Sequence, residues 1–388
     1  MASGQLVEIR DAIESAGPAS ALDQLIERLR GEGAYERMFD ALLMRARLEL
    51  GLSVCAPTGF QGVPDEQRPA LEEAYVNAAR STGQALLDAG NLPRAWVYFR
   101  TIQEPQPIAR ALEAIDPASA DYEQLNELIE IALHDGANRI AGLRLLLASH
   151  GTCNTVTMTD QMLPMLTPDE RRQAAAMLVR DVHGDLRDNL ARVVADREGG
   201  EHANNSIHEL IANRDWLFEQ TGYHIDVSHL HATVRFARGL KQNDPELPLA
   251  VELAEYGARL DPQFHFPADP PFDEYYAAHQ AFLKAMGNID REASLDYFRN
   301  RLQSETDERD RQITAYVLVD LLTCCGLRDA AAEVAAEHLG DLEEPNGFSF
   351  SALCGETKRF DLLQSVAESK NDPIRFAAAI IEQRRANA

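Results

Sequence analysis

The sequence predicts an all-α fold in which helices are joined by short turns. Of the 388 residues, 45% are apolar and only 7% are aromatic, so the long β-branched and aromatic runs that favour strands are scarce. Apolar residues recur at helical spacing along most of the chain, and helix start signals precede them. No segment shows the alternating pattern of a half-buried strand.

Length and charge limit the classes of function. A single core stops growing near roughly 250 to 300 residues, so a chain of this length favours subdivision or repetition. Sixty-two acidic and 37 basic residues give a formal charge of −25, which repels phosphate backbones and anionic lipid surfaces. We therefore expect neither nucleic acid nor a membrane as a partner.

The N-terminal residues and the cysteines indicate a compartment. Residues 1–15 lack the basic region and apolar core of a signal peptide, and nowhere do eighteen apolar residues run together. The five cysteines are scattered without CxxC spacing, which argues against a disulfide framework or a structural zinc site. These features predict a cytoplasmic protein with reduced thiols.

Two helix starts are marked clearly. Ser20 precedes the amphipathic stretch ALDQLIERL, and Asp23 stands where a capping box places its acid. Thr167 is followed by a first-turn proline and by Glu170, ahead of a long helix predicted over residues 168–194.

Three irregular stretches separate the helical regions, namely residues 51–65, 195–205 and 261–273. The last has the sequence DPQFHFPADPPFD, with four prolines. Prolines fix φ, and the phenylalanines need a surface to cover, so we expect an ordered crossing and not a flexible linker.

One stretch carries a recognisable repeat spacing. Gly83, Ala95, Phe99 and Pro107 lie 12, 4 and 8 residues apart, a pattern that resembles the tetratricopeptide repeat. Small residues at the first two positions let two antiparallel helices approach closely, Phe99 fills the groove beside them, and Pro107 ends the second helix. The resemblance implies an array of antiparallel helical hairpins, an α-solenoid whose concave face holds a protein or peptide partner.

The same spacing returns in part at residues 238–262 and 281–297, and the hairpin plan recurs near the C-terminus. A central region with longer helices does not fit the repeat. The predicted organisation has four segments: N-terminal hairpins (1–50), a tetratricopeptide-like helical pair (66–117), a central histidine-rich segment (118–226) and a C-terminal tetratricopeptide-like array (227–388).

The central region also concentrates ionisable residues, because seven of the eleven histidines lie between His134 and His229. In the stretch YHIDVSHLHATVRF, an extended approach leads to a helix capped by Asp226 or Ser228. Extended residues two apart share a face, so His224 and Asp226 can point the same way. A helix N-terminus keeps a nearby imidazole neutral and able to ligate a metal.

One aspartate and two histidines, here His224, Asp226 and His229, form a familiar ligand set for a divalent transition metal such as zinc or iron. His150 or His208 could complete the set. The alternative is purely structural: Asp226 or Ser228 caps the helix, His224 packs beside its neighbour, and His231 faces solvent.

Residues 149–160, SHGTCNTVTMTD, are a second candidate. Small polar residues after a buried helix are typical of a ligand-lining loop, which makes His150, Cys153 and Asn154 candidate binding residues. Cys153 and His150 also hint at a thiol nucleophile, although no third orienting residue is evident. The alternative is a helix cap followed by a turn.

A third candidate, SIHELIANRDWLF, begins like a zincin signature at His208. Ala212 stands where the second histidine is required, so the signature fails. Ser206 and Glu209 form a capping box instead, while His208 and Arg214 remain candidates for a shared site.

Two functions follow from these patterns. The first is a helical-repeat interaction protein whose concave face binds a protein or peptide partner. The second is a metal-dependent enzyme or small-ligand-binding protein built on the central cluster. In that case the metal ligands are His224, Asp226 and His229, and the lining residues are His150, Cys153, Asn154, His208, Arg214, Ser228 and His231. No reaction is identified.

Overall fold

A computed structural model describes residues 2–343 and 347–386, and this part of the chain contains eighteen α-helices and no β-strand. The all-α prediction is confirmed. The chain divides into two compact units, Met1–Gly151 and Thr152–Ala388. Within the described residues, no helix is both long and apolar enough to cross a membrane.

The described part of the first unit contains seven α-helices, and the first five pack successively against their neighbours in sequence. They are α1 (Ala2–Gly31), α2 (Tyr35–Glu49), α3 (Arg68–Asp88), α4 (Leu92–Thr101), α5 (Gln106–Glu113), α6 (Tyr122–Ile129) and the first part of α7 (Arg139–Met162). Within α1, Gly17 has a φ of 82° and interrupts the helix. The helix resumes at Pro18, because proline suits a first turn, so the predicted start at Ser20 is wrong.

Helices α3 and α4 approach each other closely, as the repeat spacing predicts. A Cβ atom added to Gly83 would lie 2.9 Å from the ring of Phe99, and Ala95 and Phe99 are both buried. The expected packing is confirmed. The predicted role of Pro107 is wrong, since α4 already ends at Thr101 and Pro107 lies in the first turn of α5.

The second unit continues the pattern of neighbouring helices. It contains α8 (Pro168–Glu198), α9 (Ile207–Ile211), α10 (Val227–Phe236), α11 (Leu247–Ala258), α12 (Tyr275–Met286), α13 (Arg291–Ser304), α14 (Glu308–Cys324), α15 (Arg328–His338), α16 (Phe350–Thr357), α17 (Phe360–Lys370) and α18 (Pro373–Ala386). The long central helix α8 begins at the predicted capping box of Thr167 and Glu170. It packs against α9, α10 and α11.

Consecutive pairs from α11 to α18 pack against each other and share one continuous core. Its largest fully buried side chains include Tyr256, Tyr276, Phe282, Phe298 and Phe350. Short turns such as Gly287–Asp290, between α12 and α13, connect the pairs. The predicted array of helical hairpins is therefore confirmed.

Residues 261–273, which we call the proline-rich segment, pack through their aromatic rings against other residues of the second unit. The ring of Phe266 lies 4.4 Å from that of His231, and the ring of Phe272 lies 4.4 Å from that of His279. The ring of Phe264 meets Tyr223 at 5.3 Å. The prediction of an ordered crossing is confirmed.

Residues 149–160 are helical, so the predicted ligand-lining loop is wrong. Gly151 turns the chain with a φ of 77° inside α7, and the helix resumes at once. Val156, Thr159 and Met162 of the second part are buried at helical spacing. The hydroxyl of Thr157 donates to the carbonyl of Cys153, an i−4 bond by which threonine tolerates a helix.

Candidate functional site

Asp226, one of the predicted metal ligands, caps α10. Its carboxylate accepts hydrogen bonds from the backbone N–H of Ser228 at 2.8 Å and of His229 at 3.4 Å, and from the Ser228 hydroxyl at 2.5 Å. The hydroxyl contact is the largest of the effects that lower the pKa of Asp226. The carboxylate is thus occupied by helix capping, which is the structural alternative that the sequence left open.

His224 is half-buried and bonded to a tyrosine of α11. Its backbone N–H donates to the Tyr256 hydroxyl oxygen at 2.9 Å, and its Nδ1 lies 3.0 Å from the same oxygen. Burial lowers the pKa of His224, so the ring is neutral near pH 7 and Nδ1 can accept the tyrosine proton. The amide of Asn189 holds the carbonyl of His224 at 3.0 Å.

His224 and Asp226 both line an open cavity of 420 Å³ at the edge of α8. His229, the third predicted ligand, is not among the residues that line it. Across residues 2–343 and 347–386, no three histidine, cysteine, aspartate or glutamate side chains are grouped so that they could hold one metal ion. The described residues therefore do not assemble the predicted zinc or iron ligand set.

The other candidates of the second unit are held by local partners. Nδ1 of His208 lies 2.8 Å from the carboxylate of Glu255. Arg214 forms an ion pair with Glu198 at 2.9 Å. His231 does not face solvent but stacks on a tyrosine ring of α12, with 3.9 Å between centroids, and burial lowers its pKa to about 4.

The residues of the predicted loop fall in both units. His150 belongs to the first unit, where its Nε2 lies 3.2 Å from the hydroxyl of Tyr122 and its Nδ1 lies 2.8 Å from that of Ser149. Cys153 and Asn154 follow Gly151 on the exposed side of α7, in the second unit.

A groove that the sequence did not reveal runs along α14. Its first cavity has a volume of 620 Å³ and lies between α14, the end of α15 and the end of α17. The second has a volume of 280 Å³ and lies between α14 and α16. Tyr316 lines both cavities. We call the pair the α14 groove; its walls include Arg309, Ile313, Tyr316, Asp320, Leu339, Phe348, Glu356, Val366 and Lys370.

Helical periodicity explains how one helix lines both cavities. Residues 309, 313, 316, 320 and 323 are three or four positions apart, so they share one face of α14. The opposite face packs into the core through Leu318, Leu321 and Leu322. Ile313 and Tyr316 are 36% and 41% exposed. Helix α14 thus carries two apolar side chains outside the core, and both line the walls of the groove.

The charges of the groove are unevenly distributed. In the first cavity Lys370 forms an ion pair with Asp341 at 2.6 Å, and Arg309 adds a second basic group. The second cavity is lined by Asp320 and Glu356 without a basic residue. Burial raises the pKa of Asp320, although the positive charge of Arg238 acts in the opposite direction.

One sequence signal could have pointed to this face. In RQITAYVLVDLL, the core stripe is complete without Ile313 and Tyr316, so apolar residues surround the helix. A helix that is apolar on two faces either is fully buried or presents one face to a partner. Whether α14 is fully buried or presents one face to a partner depends on the positions of α15, α16 and α17, which no local sequence pattern gives.

Comparison with known proteins adds little to the geometry. No protein-family model and no curated protein matches the chain. A solved structure described as a circular tandem repeat protein with novel repeat topology and enhanced subunit contact surfaces aligns with 98% of this chain and 95% of its own, at 17% identity and a TM-score of 0.18. A TM-score this low does not indicate a shared fold. The packing of the described helices itself defines the class, a helical-repeat fold of paired helices.

Proposed function

We propose that the protein is a helical-repeat interaction protein and that the α14 groove binds a segment of a protein or peptide partner. The observation that supports this is the exposure of Ile313 and Tyr316 toward two cavities that meet at Tyr316. Solvent-facing apolar side chains inside a groove mark a binding surface, since their burial by a partner is favourable by about 25 cal/mol per Å².

The dimensions of the groove suit a chain segment. A cavity of 620 Å³ falls within the roughly 300 to 1,000 Å³ of ligand sites, and it shares the lining residue Tyr316 with a second cavity. An extended segment would place one side chain in each cavity and run past Tyr316 between them. Helical arrays commonly hold partner segments in this way.

We also propose that the hairpins are tetratricopeptide-like. The close contact of Gly83 with Phe99, beside the buried Ala95, supports this relation at the one place where the spacing is complete.

The proposal is tested with displayed random peptides selected on the wild-type protein. Peptides that enrich are synthesised, and their affinities are measured by fluorescence anisotropy. The Ile313→Ser/Tyr316→Ser variant should bind them at least about tenfold more weakly, because truncating two apolar contacts removes more than about 1.4 kcal/mol.

The matched control alters two exposed side chains of the first unit, Val97→Ser and Tyr122→Ser, which are equally apolar and more exposed. This control should bind like the wild type. Failure to enrich any peptide, or equal weakening by both double variants, would contradict the proposal.

A further inference from the structure

We propose that the segment bound in the α14 groove carries an apolar residue followed, three positions along, by an arginine or lysine. This inference rests on the proposed function and names the chemistry of the partner. It follows from the walls of the two cavities and from the distance between them.

The first cavity has an apolar floor. Leu339 and Val366 are almost fully buried, and Ile313 stands beside them at the cavity wall. A leucine-sized side chain placed there gains contacts with all three. The charged residues at this end include both signs, with Glu308, Glu337 and Asp341 beside Arg309 and Lys370, and Lys370 is paired with Asp341. The apolar floor therefore favours an apolar side chain here, whereas the charged residues that line the second cavity are carboxylates only.

The second cavity has a surplus of negative charge. Asp320 makes no hydrogen bond or ion pair with any residue in the described part of the chain. Glu356 has one ion-pair partner, Arg328 at 3.2 Å, and both side chains are more than half exposed. Exposed pairs of this kind contribute little, so Glu356 can exchange its partner for a ligand cation. A guanidinium at this position meets two carboxylates; Arg238 acts on Asp320 from outside the lining, and none of the described lining residues is basic.

Aromatic rings add a second attraction for a cation. Tyr316 and Phe348 meet edge to face, with 5.9 Å between their centroids, at the wall of the second cavity. A planar guanidinium can lie against such rings while its N–H groups reach a carboxylate. Arginine should therefore be favoured over lysine at this position.

The spacing follows from helix geometry. Ile313 and Asp320 are seven residues apart on α14, which is about 10.5 Å along the axis at about 1.5 Å per residue. A segment in the polyproline II conformation advances about 3.1 Å per residue with three residues per turn, so side chains three positions apart point to the same side. Three residues of the partner thus cover the distance from the apolar floor to the carboxylates.

The charge of the whole protein excludes a second copy as the favoured occupant. Each chain carries a formal charge of −25, so two copies repel each other at low ionic strength, whereas a basic segment is attracted. The occupant is a segment of a different, locally basic protein.

The test uses short synthetic peptides in which leucine is followed three positions later by arginine. In matched peptides, citrulline replaces arginine, which removes the charge and keeps the shape. Binding to wild-type protein and to Asp320→Asn is measured by fluorescence anisotropy, with circular dichroism to verify that the isosteric variant is folded. We expect citrulline to weaken wild-type binding by about three- to tenfold and Asp320→Asn binding by less than about twofold. Glu382→Gln, at an ion pair on α18 that lines neither cavity, should behave like the wild type.

The outcomes separate the inference from the function on which it rests. Equal binding of the arginine and citrulline peptides, with binding still lost in the Ile313→Ser/Tyr316→Ser variant, overturns the charge requirement and leaves the peptide-binding function in place. Equal binding of peptides with a shorter or longer leucine-to-arginine spacing overturns the geometry. If no peptide of the set and no displayed peptide binds the wild type, both proposals are overturned.

Discussion

A close approach of two helices in the second unit provides a sharp test of the structure. Gly257 of α11 faces Tyr276 of α12, and a Cβ atom added to Gly257 would lie 2.3 Å from two carbons of that ring. Ordinary carbon contacts are about 3.5 to 4.0 Å. Because Tyr276 is only 1% exposed, the ring has nowhere to move, and Gly257→Ala must separate the two helices.

Two opposing effects set the magnitude. Alanine stabilises a helix by about 1 kcal/mol relative to glycine. Overpacking a well-packed core costs typically about 1 to 3 kcal/mol and sometimes more, and an overlap of more than about 1 Å with a fixed ring belongs at the upper end. We expect Gly257→Ala to lower the free energy of unfolding by about 2 kcal/mol.

The matched control is Gly184→Ala in α8, where no atom lies within 4 Å of the added Cβ. This variant gains helix propensity without a clash and should be stabilised by about 0.5 to 1 kcal/mol. Urea denaturation followed by circular dichroism measures both midpoints, at an unchanged dependence on urea. If Gly257→Ala proves as stable as the wild type, or is stabilised like the control, the packing of α11 on α12 described above is refuted.

Two further predictions concern ionisable groups. Burial lowers the pKa of His231 to about 4 and of His279 to about 3, so between pH 7 and pH 5 the unfolded chain binds protons that the folded chain does not. Each histidine should therefore lower the free energy of unfolding by about 2 kcal/mol between pH 7 and pH 5. In urea titrations at the two pH values, His279→Asn should show a drop about 2 kcal/mol smaller than the wild type. An equal drop in both proteins would contradict the burial of His279. The carboxylate of buried Asp244 accepts two hydrogen bonds from Nε and Nη2 of Arg172 at 2.8 Å, so Asp244→Asn should destabilise by about 2 to 3 kcal/mol. Glu382→Gln, at a largely exposed ion pair, should change the free energy of unfolding by less than about 0.5 kcal/mol. Equal urea midpoints for Asp244→Asn and Glu382→Gln would show that the buried ion pair of Asp244 contributes no more than the exposed one.

Local physics made much of the fold predictable. The helix starts at Thr167 and Ser206 and the cap at Asp226 each depend on a side chain bonding to backbone within three residues, and all three are present. The close approach of Gly83 to Phe99 was readable because both ends of the contact lie in one short repeat. Information of this kind is carried by neighbours in sequence.

Features that depend on distant partners were not predictable. The stacking of His231 needs Tyr275 and Phe266, which lie more than thirty positions later. The α14 groove needs α15, α16 and α17 in place before Tyr316 has cavities to line. At residues 149–160, small polar residues suggested a loop, whereas the apolar spacing that follows Gly151 restarts the helix.

Aromatic side chains of the proline-rich segment cover α10 and α12, whereas none of residues 261–273 lines the α14 groove. On α10 and α12, His231 and His279 lie against Phe266 and Phe272, so the segment's own rings cover these helices. On α14, the ring of Phe348 meets that of Tyr316 edge to face, and a cavity among the described residues lies on each side of Tyr316. Covering apolar surface is favourable, so a partner gains by binding over Ile313 and Tyr316, which the described residues leave partly exposed.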